Sequence, residues 1–166
     1  MKTSALVFFA VCILFLFSSL APKDNYYNEL YRPQFHFTPE KNWHNDPNGL
    51  VFYDGEYHMF YQYNPKGKEW GYMHWGHAVS TDLLHWEHLP IDLYPDENST
   101  DKENCTAFSG SAIIDHQNLL GKQSGDVKTM VAFYTSQNCG QRIAYSLDKG
   151  RSWKKFEGNP IIAYNE

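Results

Sequence analysis

Arginine is scarce in this chain of 166 residues: Arg32, Arg142 and Arg151 are the whole supply. There is no basic run, and the net charge is −5, so the electrostatic footprint of a nucleic-acid binder is missing. No heptad pattern appears. The GxGxxG, P-loop, G-x-S-x-G and HExxH patterns are also absent, which removes the local signals for dinucleotide binding, phosphate cradling, a nucleophile elbow and a helical zinc site. Cysteine is limited to Cys12, Cys105 and Cys139. With so few, no Cys or carboxylate cluster completes a tetrahedral metal centre. The histidine pairs His74/His77 and His85/His88 are each three apart, and on a strand such residues point to opposite faces. Neither a metal nor a cofactor is expected.

What the chain does have is aromatic side chains, at 17% of residues. That load suits β-structure and sugar-stacking surfaces better than a helical bundle. The first segment stands apart. Lys2 is followed by an unbroken apolar run from Ala5 to Phe17, then by the small-residue pattern Ser19-Leu20-Ala21. The run falls short of the ~18 residues of a membrane span, so residues 1–21 are expected to be a signal peptide and residues 22–166 an exported chain. No membrane association is expected after cleavage. Export would leave Cys105 and Cys139, whose pairing the sequence leaves open. The sequons Asn98-Ser99-Thr100 and Asn104-Cys105-Thr106 accompany a polar stretch, 96–103, that reads as an exposed loop.

Beyond residue 48 the chain repeats itself. GLVFYD (49–54), YHMFYQYN (57–64) and HAVSTDLLHW (77–86) recur in order as GSAIID (110–115), MVAFYTSQN (130–138) and IAYSLDKGRSW (143–153). Gly49 matches Gly110, Phe60-Tyr61 matches Phe133-Tyr134, and Ala78, Ser80 and Asp82 match Ala144, Ser146 and Asp148. Each copy reads as a four-stranded antiparallel sheet, with Asp54-Gly55 as a hairpin turn and Asp148-Lys149-Gly150 as a later one. A repeated four-stranded sheet is the unit of a β-propeller, with a β-sandwich as the competing fold. Propellers need about four to eight blades to close, so two copies are expected to be part of a longer propeller. Ser146-x-Asp148-x-Gly150-x-x-Trp153 resembles the Asp-box of sialidases, a structural turn; the arginine cluster of a sialidase is missing.

The densest motif is Trp43-His44-Asn45-Asp46-Pro47-Asn48-Gly49. Asp-Pro and Asn-Gly are turn formers, so the plain expectation is a tight turn entering the first strand. The functional alternative places Asn45 and Asp46 at the mouth of an inner strand facing the central channel, with Gln62 on the neighbouring strand. One carboxylate, two amides and the Trp43 ring are the equipment of a sugar site.

WHNDPNG resembles the signature of glycoside hydrolase family 32. The resemblance continues through RPQFHFTP (32–39), FYQYNP (60–65), MHWGHAVSTDLLHWEHLP (73–90), FSGSA (108–112) and GNPII (158–162), in the family's order. It implies an all-β chain carrying about the first two blades of a five-bladed β-propeller. It also implies a retaining β-fructosidase acting on sucrose or a fructan such as levan or inulin, with Asp46 as nucleophile. Trp43, Asn45, Gln62, Trp70, Phe108 and Ser109 match the family's fructose-binding positions. His44 replaces the usual Met; it is carried as a candidate substrate contact, with packing the plainer role.

The family's general acid lies in a Glu-Cys motif and its transition-state stabiliser in Arg-Asp-Pro. Neither occurs in these 166 residues. Glu103 is separated from Cys105 by Asn104 and is not promoted to the acid. By itself the polypeptide is expected to be nearly inactive, because the leaving group would lack a proton donor. The competing expectation is a truncated, non-catalytic propeller module that binds carbohydrate or a partner protein.

Overall fold

The computed structural model describes residues 26–96 and 105–164. Residues 1–21, expected to be a signal peptide, Cys12, the first sequon and Asn104 of the second lie outside the described residues, as does the polar stretch beyond Asp96. A short first unit ends at Arg32, where Arg32 Nε donates to Glu29 Oε2 at 2.9 Å.

The unit from Pro33 onward is built entirely of strands among its described residues: β1 (Trp43–Tyr53), β2 (Glu56–Asn64), β3 (His74–Ser80), β4 (Glu87–Leu93), β5 (Ala107–Asp115), β6 (Thr129–Ser136), β7 (Gly140–Ser146) and β8 (Lys154–Lys155). They form two four-stranded antiparallel sheets, ordered β1-β2-β3-β4 and β5-β6-β7-β8. These are the two blades expected from the repeat. Asp54 and Gly55 both take positive φ (51° and 87°), which the tightest hairpin turns require, and so join β1 to β2. The later turn is closed by side chains: Ser146 Oγ donates to Asp148 Oδ1 at 2.7 Å and accepts from Gly150 N at 2.9 Å. Ser80 and Asp82 make the same contact at 3.1 Å in blade 1.

The register bears out most of the repeat. Ala78 pairs with Met59 and Ala144 with Ala132; Phe60 pairs with His77 and Phe133 with Ile143. The match of Gly49 with Gly110 is corrected. Gly110 lies opposite Tyr134, whose counterpart Tyr61 lies opposite Pro47. Register breaks in β1 and β5 displace the two glycines from equivalent positions. The turn expected at 45–49 is also corrected. WHNDPNG lies inside β1, and its turn-forming residues produce two bulges, at 45/47 and 48/51.

Strand alternation decides what each face of blade 1 meets. On β2, His58, Phe60 and Gln62 share the face turned to blade 2. Phe60 joins Trp75, Leu93, Ala107, Ala132, Tyr134 and Ala144 in one buried cluster, with Ala112 and Trp153 packed against it. Tyr61 faces the other side, against the Phe37 ring at 5.1 Å and close over Gly76. Phe133, the counterpart of Phe60, lines an apolar recess of about 220 Å³ with Ile113, Val131 and Ile143.

At the outer end of the seam lies a buried polar chain. His77 Nδ1 sits 2.6 Å from Asp92 Oδ2, and His77 Nε2 lies 3.0 Å from His58 Nδ1. Burial and the neighbouring His77 push His58 down to about 4. Burial pushes His77 down to about 3 and Asp92 up to about 8. In all three, burial therefore works against the charged form. Unfolded histidine titrates near ~6.5 and aspartate near ~3.9. Between those values, unfolding takes up two protons and releases one, so stability falls as pH falls. The unfolding temperature is expected to drop between about pH 6.5 and 4. His58→Phe leaves one histidine against one carboxyl and should flatten that slope; an unchanged slope contradicts the lowering at His58.

Candidate active site

Asp46 occupies the first bulge of β1, between Asn45, which pairs with Gln62, and Pro47, which pairs with Tyr61. Its φ is 33°, a left-handed value uncommon outside glycine. Pro47 has no N–H to give a ladder, and proline in a sheet is confined to edges and bulges. The sequence thus takes Asp46 out of the pairing and leaves its carboxylate exposed.

Across the seam, β5 brings the matching piece. Ser109 Oγ donates to Asp46 Oδ2 at 2.8 Å, sixty-three residues away in sequence. Phe108 and Ser109 sit in a gap of the β5–β6 ladder, between Ala107, opposite Ser136, and Gly110, opposite Tyr134. Blade 1 fixes the backbone on either side of them. Gln62 Nε2 donates to the Ala107 carbonyl at 3.0 Å, Trp75 Nε1 to the Phe108 carbonyl at 2.9 Å, and Gly110 N to Asn48 Oδ1 at 3.3 Å.

The remaining candidates divide. Trp43 Nε1 donates to Asn45 Oδ1 at 2.7 Å, fixing that amide beside Asp46. Trp70, 44% exposed, stands edge-on to the half-buried Phe108 ring at 6.1 Å. Gln62 is buried, and its amide nitrogen is engaged with the Ala107 carbonyl. His44 is not gathered with them. It pairs with Tyr63 on the opposite face from Asn45 and lies edge-on to Tyr61 at 6.5 Å. Two residues that hold the site carry no such signal in the sequence. Asn48 reads there as half of an Asn-Gly turn, and Trp75 is only one residue of the MHWGHAVSTDLLHWEHLP stretch. Their role appears only once β5 is placed against them.

The group therefore presents a carboxyl held by a hydroxyl, an amide beside it, and, next to Ser109 in the chain, the Phe108 ring with Trp70 edge-on to it. Two propeller blades with such a mouth on their first strands make a cleft with convergent polar groups at their seam. The glycosyl hydrolases family 32 N-terminal domain matches residues 36–166, and the chain belongs to that family. It is 56% identical to the levanase of Bacillus subtilis over 160 residues, spanning 95% of this chain and 23% of the levanase. It is 43% identical to the extracellular exo-inulinase of Aspergillus awamori over 153 residues, spanning 82% of this chain and 28% of that protein. The fructofuranosidase of Schwanniomyces occidentalis complexed with fructose superposes with a TM-score of 0.74 at 42% identity, over 85% of this chain and 28% of the other. The chain thus spans about a quarter of the length of these relatives.

Two neighbouring substitutions separate scaffold from chemistry. A Cβ on Gly110 would lie 1.9 Å from the Phe133 carbonyl oxygen, so Gly110→Ala forces β5 off β6. It should cost ~1–3 kcal/mol in denaturant unfolding. Ser109→Ala removes only an exposed hydrogen bond and should stay within about 1 kcal/mol of the parent.

Proposed function

We propose that this chain supplies the nucleophile-bearing blades of an exported, retaining β-fructosidase. The observation that carries this is Asp46, set on a bulge at the seam of two blades with the Ser109 hydroxyl on its Oδ2 at 2.8 Å. The bulge exposes the carboxylate, and the hydroxyl holds one oxygen, so the other is aimed without a search over rotamers. Asp46 attacks the anomeric carbon of a terminal fructofuranosyl unit and forms a covalent fructosyl-enzyme, which water then opens with retained configuration. Asn45 meets the hydroxyls of the fructosyl ring, and Trp70 and Phe108, which match fructose-binding positions of the family, offer it ring faces. Retention requires a second carboxyl about 5–5.5 Å from the first, acting as acid and then as base. The Glu-Cys motif expected to carry that residue does not occur in these 166 residues.

The substrate class is a β-D-fructofuranoside: sucrose, levan or inulin. Support comes from the levanase name of the Bacillus subtilis relative and from the fructose held by the Schwanniomyces occidentalis enzyme. Export is supported by the apolar run Ala5–Phe17 with its small-residue end, and by the extracellular name of the Aspergillus awamori relative.

The test is fructose release from sucrose and from levan by the gene product that carries this chain, against its Asp46→Asn variant. The variant keeps the shape and loses the nucleophile, so release should fall by several orders of magnitude with folding unchanged. Equal release by both proteins removes Asp46 from the mechanism.

A further inference from the structure

Cys105 and Cys139 are joined in a disulfide, with Cα atoms 5.2 Å apart. The pairing that the sequence leaves open is made, and its place in the fold points beyond general stability. Cys105 is the residue through which the chain enters β5, in a left-handed conformation with φ 52°. Its N–H donates to the Gln137 carbonyl at 2.9 Å, and its carbonyl accepts from Asp96 N at 3.1 Å. Cys139 belongs to the turn between β6 and β7, closed by its N–H on the Ser136 carbonyl at 2.8 Å. Ser136 is the residue opposite Ala107. The covalent bond therefore fastens the first ladder rung of β5 to the strand it pairs with.

That rung matters because the next two residues, Phe108 and Ser109, lack ladder partners of their own and hang between Ala107 and Gly110. At the far end Gly110 is seated flush on the Phe133 carbonyl, where no side chain fits. At the near end the fixed points are the Ala107 N–H on the Met73 carbonyl at 2.9 Å, the Gln62 amide, the Trp75 indole on the Phe108 carbonyl, the Cys105 N–H on the Gln137 carbonyl and the disulfide. Of these only the disulfide responds to redox conditions, and both cysteines are half-buried, within reach of a small dithiol.

We propose that the Cys105–Cys139 disulfide is a redox-sensitive positioning clamp for the site, holding β5 at the register in which Ser109 reaches Asp46. Reduction by a dithiol transfers two electrons and two protons to the pair. It yields two thiols and leaves the reductant as its cyclic disulfide. Hydrogen bonds then hold the strand end without a covalent link: those of Ala107, the Trp75 indole on the Phe108 carbonyl and the Cys105 N–H on the Gln137 carbonyl. The site importance of Ser109 rests on the proposed fructosidase function, but the clamp is measured without sugar. Strand anchoring and fructose release can therefore fail separately.

The experiment is amide hydrogen exchange of the full chain, oxidised, reduced with dithiothreitol, reoxidised, and as Cys105→Ser/Cys139→Ser. Exchange at 106–110 is expected to rise about tenfold or more on reduction and in the double variant. It should return on reoxidation, with 58–62 and 130–134 unchanged. Val131→Ala, which loosens the same blade without touching the disulfide, is the control and should leave 106–110 no more affected than 130–134. A uniform rise across both blades on reduction, or no rise at 106–110, overturns the clamp.

Discussion

Everything at this site depends on blade 1 holding the backbone of blade 2 by its carbonyls. Buried polar groups must find partners, and an amide or indole N–H in a dry seam has few to choose from. Gln62 and Trp75 find theirs in the carbonyls of Ala107 and Phe108, where β5 enters the gap in its ladder with β6. Each interaction satisfies two groups at once. The donor is not stranded among Phe60, Leu93 and Tyr134, and an irregular strand end is fixed where Ser109 is needed. The chemistry sits where the sheet is least regular because regular pairing would point Asp46 and Ser109 into ladders rather than at each other.

The seam also explains its own composition. Its inner end is amide and indole, its middle is aromatic and alanine, and its outer end is the chain of His58, His77 and Asp92. Phe60 and His77 lie nearly parallel at 4.2 Å, so the polar chain is continuous with the apolar cluster. Gly150 passes close to His58, which seats the Asp-box turn of blade 2 against blade 1. Alanines at 107, 132 and 144 let the sheets approach, and the large Trp75 and Tyr134 fill the space that remains.

Much of this is legible in the sequence. The spacing of Phe60, Ala78 and Ser80 against Phe133, Ala144 and Ser146 yields the strands and their register, because a pleated sheet with one covered face punishes a slip of one residue. Asp54-Gly55 and Ser146-x-Asp148-x-Gly150 announce their turns because their conformations are set locally. The WHNDPNG motif misleads on local grounds, since Asp-Pro and Asn-Gly favour turns wherever neighbours do not intervene. Here β2 pairs on either side of them and converts the turns to bulges. Asp46 and Ser109 are each nameable through the family resemblance. The polar chain of Asp92 is not legible at all, because it joins three strands whose alignment only the fold supplies. Gln62 reads as a sugar ligand, yet its amide nitrogen serves the seam, a distinction that requires knowing where Ala107 lies.

In the proposed function, a fructosyl ring docks at the seam with its anomeric carbon toward Asp46. A crystal structure of the gene product carrying this chain, as Asp46→Asn soaked with sucrose, tests it most directly. The expected result is a fructofuranosyl ring whose anomeric carbon faces residue 46, with its hydroxyls on Asn45. Sucrose bound elsewhere, with the seam empty and Ser109 still resting on residue 46, would contradict it.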